Sequence, residues 1–183
     1  MKYVIVGCGR VGAALAEALD NDGHEVLIID TSTRAFDRLS SEFKGQAIRG
    51  DGTDEDVLRR AGAERADVLL ALTEGDNRNV MAAQVAREKL SVVKAVAKIN
   101  DPVRAAAYAE LGIATVCRTT MLTDSLLGHL GLRPTGMPSV IAAVPHVHGD
   151  DEVEASRGLA GGAEAVPGTV DTPAAASSTE RRD

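Results

Sequence analysis

Apolar residues in this chain fall into short, nearly continuous runs separated by stretches of helical period. Six runs read as strands: Lys2–Val6, Glu25–Asp30, Gln46–Arg49, Asp67–Leu72, Val92–Ile99 and Ala114–Arg118. Runs that are unbroken rather than alternating suit strands buried on both faces. Between them the spacing predicts helices from about Arg10 to Asn21, from Thr31 or Ser32 to about Phe43, and from Glu55 to Ala61. Two more run from Asp76 and Asn77 to about Lys89 and from Asp101–Pro102 to just before Gly112, and a last amphipathic helix covers Thr119–Leu130. Gly23 and Gly62 stand where glycine ends a helix, and Asp101–Pro102 is a capping residue followed by a first-turn proline. Thr31 or Ser32, and the pair Asp76 and Asn77, stand where side chains cap a helix. Alternating strands and helices predict an α/β domain with a doubly wound parallel sheet of order 3-2-1-4-5-6.

The first link carries the chemistry. The strand ending at Val6 runs into Gly7, Cys8, Gly9, Arg10, Val11 and Gly12, a helix follows, and the next strand ends in Asp30. Strand, glycines, helix and terminal acid together make the Rossmann-type dinucleotide fingerprint, with Asp30 near the expected spacing of about 20 residues from the glycines. Gly7 permits the tight turn, Gly9 lets a pyrophosphate approach the backbone, and Gly12 lets the helix close on the strand. The N–H groups opening that helix attract phosphate. A carboxylate at position 30 accepts from both ribose hydroxyls and repels a 2′-phosphate. The expected ligand is therefore NAD(H) or an adenine mononucleotide and not NADP(H), with Thr31 beside the ribose.

Other candidates follow from the same crevice, which opens at the carboxyl ends of the strands. Arg10, inside the glycine loop, is placed to swing over a phosphate; the alternative is a solvent-facing first-turn residue. Asp51 and Gly52 end the third strand where an adenine lies. Asp51 either accepts from the exocyclic amine or serves as a turn residue capping the next helix. Thr73 and Glu74 close the fourth strand, and Thr73 is placed to contact phosphate or ribose. Lys98 ends the fifth strand, either reaching toward phosphate or pairing with a nearby acid. Cys8 is either a small residue filling a tight turn or a redox-sensing thiol.

Composition narrows the picture. The chain has 183 residues, enough for one α/β domain with a real core, and only 2% are aromatic, so that core is built from Val, Ile, Leu and Ala. The net charge of −7 argues against a general nucleic-acid binder. Cys8 and Cys117 fall on strands that are not neighbours in such a sheet, so two reduced thiols and no disulfide are expected. No stretch of about 18 apolar residues exists to span a membrane. The pattern lapses after about residue 132. The expected organisation is a nucleotide-binding domain over 1–131, a short irregular extension over 132–149 with one apolar run at Ser139–Val144, and a low-complexity, disordered tail over 150–183. His146 and His148 with Asp150 and Asp151 are a weak metal candidate in that region; no metal site is expected. His129 reads as a surface or interface residue.

Several blocks occurring in order carry a resemblance. GCGRVG, the acid ending the second strand, GDGTD, ALTEGDNRNVMAAQVARE, and VAKIND followed by a helix and ELGI are similar to the TrkA N-terminal domain, the regulator-of-potassium-conductance or KTN family, over about residues 1–131. The resemblance implies a cytoplasmic regulatory subunit that binds NAD(H) or ATP/ADP and controls a membrane-embedded potassium transporter. It implies roles for Arg10 at phosphate, Asp30 at ribose and Asp51 near adenine. It also implies Lys98 at a position where many members carry Arg, keeping the charge but not bidentate geometry. It implies a homodimer or higher oligomer, formed through the helix Thr119–Leu130 with Met121, Leu122, Leu126, Leu127 and Leu130 as its apolar face; the alternative is that this face packs on its own sheet. A second effector domain, common in the family, is not expected. The remaining alternatives are a small NAD-dependent oxidoreductase and an assembly module with an unresponsive site. Tyr108 lacks a lysine four positions on, and no nucleophile–His–acid set converges on the crevice.

Overall fold

The computed structural model describes residues 1–143. The expected tail, with its candidate His146, His148, Asp150 and Asp151, lies outside the described residues. One seven-stranded sheet organises the rest: β1 (Lys2–Val6), β2 (Glu25–Asp30), β3 (Gln46–Arg49), β4 (Val68–Ala71), β5 (Lys94–Ile99), β6 (Ala114–Cys117) and β7 (Val140–Ile141), in the order β3-β2-β1-β4-β5-β6-β7. β1 to β6 are mutually parallel, so each link must cross over through a helix or a shorter covering segment. β7 pairs antiparallel with β6, with Thr115 opposite Ile141. It arises within the segment expected to be irregular and adds a strand that two residues cannot announce in a sequence.

The helices are α1 (Arg10–Asn21), α2 (Glu55–Arg60), α3 (Asp76–Leu90), α4 (Pro102–Glu110) and α5 (Arg118–His129). Strand pleating sends alternate residues to opposite faces. Ile5, Val26 and Ile28 point to one face and pack with Cys8, Ala13 and Ala16 beside α1. Val4, Val6, Leu27, Ile29, Leu69 and Ala71 point to the other, where α3 lays down Ala82, Ala83 and Ala86, all fully buried. Small residues on α3 allow the backbone to approach the sheet closely. On the α1 side, no helix among the described residues covers β4, β5 and β6, and an apolar groove of about 970 Å³ runs across Val68, Leu70, Val96 and Val116.

One expected helix differs. In place of a helix from Thr31 or Ser32 to Phe43 the chain makes a 3-10 segment, Thr33–Arg38, and then leaves helical geometry. Ser32 occupies the capping position without a side-chain bond. The reason is tertiary: α1 supplies carboxylates that take the backbone donors, Ser40 N–H to Glu17 at 2.5 Å and Lys44 N–H to Asp20 at 2.8 Å. The segment follows the surface of α1 instead of continuing its own hydrogen bonding. The caps of α2 and α4 are local: Asp54 accepts from Asp56 and Val57 N–H, and Asp101 from Val103 and Arg104 N–H ahead of Pro102.

Candidate functional site

A crevice of about 210 Å³ opens at the carboxyl ends of β1 to β4. Gly7, Gly9, Asp30, Thr31, Asp51, Gly52 and Thr73, all named from the sequence, line it, together with Glu74 and Arg78. Cys8, Arg10, Val11, Gly12 and Lys98 are not among its lining residues.

The glycines divide the labour. Gly7 has φ +105°, and a Cβ there would lie 2.9 Å from the Thr73 nitrogen. A Cβ on Gly12 would fall on the carbonyl oxygen of Gly7, so only glycine lets α1 close against the loop. Gly9 is different: its Cβ position faces open space and it lines the crevice. It is also the N-cap of α1, and no side chain caps that terminus. Uncapped first-turn N–H groups beside an unfilled cradle are what a phosphate needs. Arg10 and Val11 are exposed at the same turn. Gly52 answers to packing, since a Cβ there would meet the side chain of Val6.

Asp30 ends β2 facing the glycine loop. One oxygen accepts from Cys8 N–H at 2.8 Å and the other from Ser32 N–H at 2.9 Å. Those bonds fix the carboxylate, and since an ionised carboxylate has about four acceptor directions, two stay open for a diol. Cys8 is fully buried with its Sγ 3.3 Å from the Ala35 carbonyl. Burial, with the charge of Asp30 behind it, pushes the thiol pKa up. Its side chain fills the α1 face of the core, while Cys117 lies in the core on the opposite face.

Asp51 forms a turn, accepting from Thr53 N–H at 3.0 Å and Thr53 Oγ1–H at 2.8 Å. These bonds, with a contribution from the charge of Arg78, hold its carboxyl below the usual carboxylate range. The cap of α2 is Asp54 and not Asp51. The second oxygen of Asp51 has no protein donor among the described residues.

Thr73 is tied down by a residue that sequence reasoning missed. Asn79, fully buried on α3, accepts from Thr73 N–H at 2.8 Å and from Thr73 Oγ1–H at 2.6 Å. Its amide donates to the Thr73 carbonyl at 2.9 Å and the Lys98 carbonyl at 2.8 Å. Asn79 thus locks the β4 loop to the end of β5. Asp76 and Asn77, expected to cap α3, do other work. Gly75 is the N-cap; Asp76 accepts from both nitrogens of Asn100, at 2.9 and 2.7 Å, and Asn77 accepts from Arg104. Lys98 is buried, and its ammonium sits 3.5 Å from Glu74, which also meets Arg118 at 3.5 Å. Of the two readings of Lys98, the structure displays the ion pair.

α5 does not lie on its own sheet. Thr120 is its one buried residue, and Met121, Leu122, Leu126 and Leu130 are exposed by 48%, 60%, 56% and 69%. No helix among the described residues is long and apolar enough to cross a membrane.

Comparison with known proteins gives this geometry a context. The TrkA-N domain family matches residues 3–119. The Trk system potassium uptake protein TrkA of Streptomyces coelicolor is 48% identical over 130 residues, which are 71% of this chain and 58% of that protein. The chain therefore spans little more than half of that relative. The TrkA-N domain of the inner membrane protein ybaL from Escherichia coli superposes with a TM-score of 0.63 at 25% identity, covering 70% of this chain and 96% of that one. The Shewanella denitrificans Kef C-terminal domain in its AMP-bound form superposes at 0.58 and 25% identity, covering 74% and 85%.

Proposed function

The chain belongs to the TrkA-N domain family, and from that premise we propose that it is a cytoplasmic regulatory subunit that binds NAD(H) or ATP/ADP and controls a membrane-embedded potassium uptake system. The observation that carries the reading is the join at the ends of β1 and β2. There the open Gly9 cradle and uncapped α1 terminus stand beside an Asp30 carboxylate with two acceptor directions unused. An adenosine diphosphate moiety fits this chemistry: its diphosphate meets α1 and its ribose diol meets Asp30 and Thr31, while its base extends toward Asp51 and Gly52. In this reading the exposed Arg10 supplies charge at the phosphate end, and Thr73 forms the wall held by Asn79.

The mechanism is binding and not turnover. A ligand shifts a conformational equilibrium only by its differential affinity for two states. The element best suited to report that shift is α5, whose apolar stripe has no cover among the described residues and fits a second copy in a homodimer or larger ring. Arg118, the first residue of α5, touches Glu74 on the crevice wall, so a ligand displacing Glu74 acts on the root of that helix. The naming of the Streptomyces relative supports regulation of potassium uptake over an oxidoreductase role, which the shared fold alone would allow.

The test is potassium uptake in cells lacking the chain. Re-expression of wild type restores regulated uptake, and Asp30→Ala, expressed at equal level, does not, because lost ribose bonds weaken nucleotide by about 1–3 kcal/mol. Full restoration by Asp30→Ala would refute the role of the crevice.

A further inference from the structure

We infer that Arg78 forms the outer wall of the base subsite and stacks its guanidinium plane on the adenine, opposite the Gly50–Gly52 backbone. The inference rests on the adenine-nucleotide reading of the crevice and adds the group that recognises the base.

Arg78 is misplaced for a merely structural residue. It lies in the first turn of the 15-residue helix α3, where the helix dipole disfavours a cation. Among the described residues it makes no ion pair or side-chain hydrogen bond that would offset that placement, whereas Arg59, Arg104 and Arg118 are all paired. Yet its side chain lines the crevice. It reaches the β3 end in particular. Arg78 shares a surface groove with Thr53, the residue whose hydroxyl holds Asp51, and its charge is felt at the Asp51 carboxylate. That end lies away from the phosphate cradle at Gly9, so a phosphate contact is the less natural use of the side chain.

The crevice also lacks the usual means of holding a base. Among its lining residues none is aromatic, and Arg78 carries the one extended planar side-chain group. A guanidinium stacks on π-faces and is weakly hydrated, so it serves where a ring is missing. A position of this kind gives no sequence signal beyond a cation in an N-terminal turn, which normally reads as surface.

The experiment is calorimetric titration of the full chain with adenosine and with ADP, in wild type, Arg78→Ala and Arg78→Lys. Stacking on the base predicts that Arg78→Ala weakens both ligands by a common factor, on the order of tenfold, and that Arg78→Lys recovers less than half of the loss because it restores charge without a plane. Equal affinity in wild type and Arg78→Ala overturns the inference, as does a loss confined to ADP or full rescue by lysine. Wild type that binds neither ligand overturns the adenine reading itself, so the two failures are distinguishable. Arg78 is exposed, and unchanged melting temperatures in both variants verify that folding is intact.

Discussion

Truncating Asn79 to alanine tests the architecture of the site most severely for the smallest change. Asn79 is fully buried and makes four hydrogen bonds, two received from Thr73 and two given to the carbonyls of Thr73 and Lys98. The variant takes the acceptor from the Thr73 N–H and the donor from the Thr73 and Lys98 carbonyls, each costing up to about 1–3 kcal/mol where no other partner replaces it. The Thr73 hydroxyl is free to rotate, and a water entering the void recovers part of the loss. The net destabilisation is about 2–5 kcal/mol, placing it among the larger single-site effects. At about 2–4 °C per kcal/mol for a chain of this size, the melting temperature falls by roughly 4–20 °C. Urea unfolding gives the same answer as a lower midpoint at unchanged slope. Asn79→Asp sharpens the test, since it keeps the volume but turns a carboxylate toward two carbonyl oxygens. It should be no more stable than Asn79→Ala at neutral pH. A loss under about 1 kcal/mol for alanine, with aspartate tolerated, would refute the account of how the β4 loop is held.

Two further outcomes follow from named contacts. Gly12→Ala drives a Cβ onto the Gly7 carbonyl, so it should cost at least about 1–3 kcal/mol of stability and reduce nucleotide affinity together; differential scanning calorimetry with and without ligand measures both. Asp51 is held below the ordinary carboxylate range by Thr53, so its contribution to stability is present above the unfolded-state value near 3.9 and fades as pH falls through the folded-state value. Asp51→Ala should therefore be less stable than wild type at pH about 6, with the gap closing as pH falls below the unfolded-state value toward the folded-state one. The carboxylate is exposed and screened, which keeps the gap under about 1 kcal/mol.

Much of the fold was legible because its determinants are local. Unbroken apolar runs specify strands of a doubly covered sheet, and the glycines and Asp30 are fixed by the turn they make. What was not legible depends on distant partners. The second helix yields to a 3-10 segment because Glu17 and Asp20 on α1 capture its neighbours' backbone donors. Asp76 reads as a cap, but Asn100, brought in by β5, outcompetes the helix terminus for its carboxylate. Asn79 resembles any polar residue in a helix until folding puts it between two strands. Lys98 has the charge expected of a phosphate ligand, and its pairing with Glu74 depends on the β4 loop geometry. The apolar stripe of α5 read either as an interface or as packing on its own sheet, and among the described residues it lies uncovered.

The central claim is that the crevice binds an adenine nucleotide with free ribose hydroxyls, and calorimetric titration of the full chain with ATP, ADP, NADH, NAD and NADPH tests it directly. The account predicts saturable binding of at least one of the first four, with NADPH much weaker because its 2′-phosphate meets the Asp30 carboxylate. No binding by any of them, or NADPH binding more tightly than NADH, would contradict it.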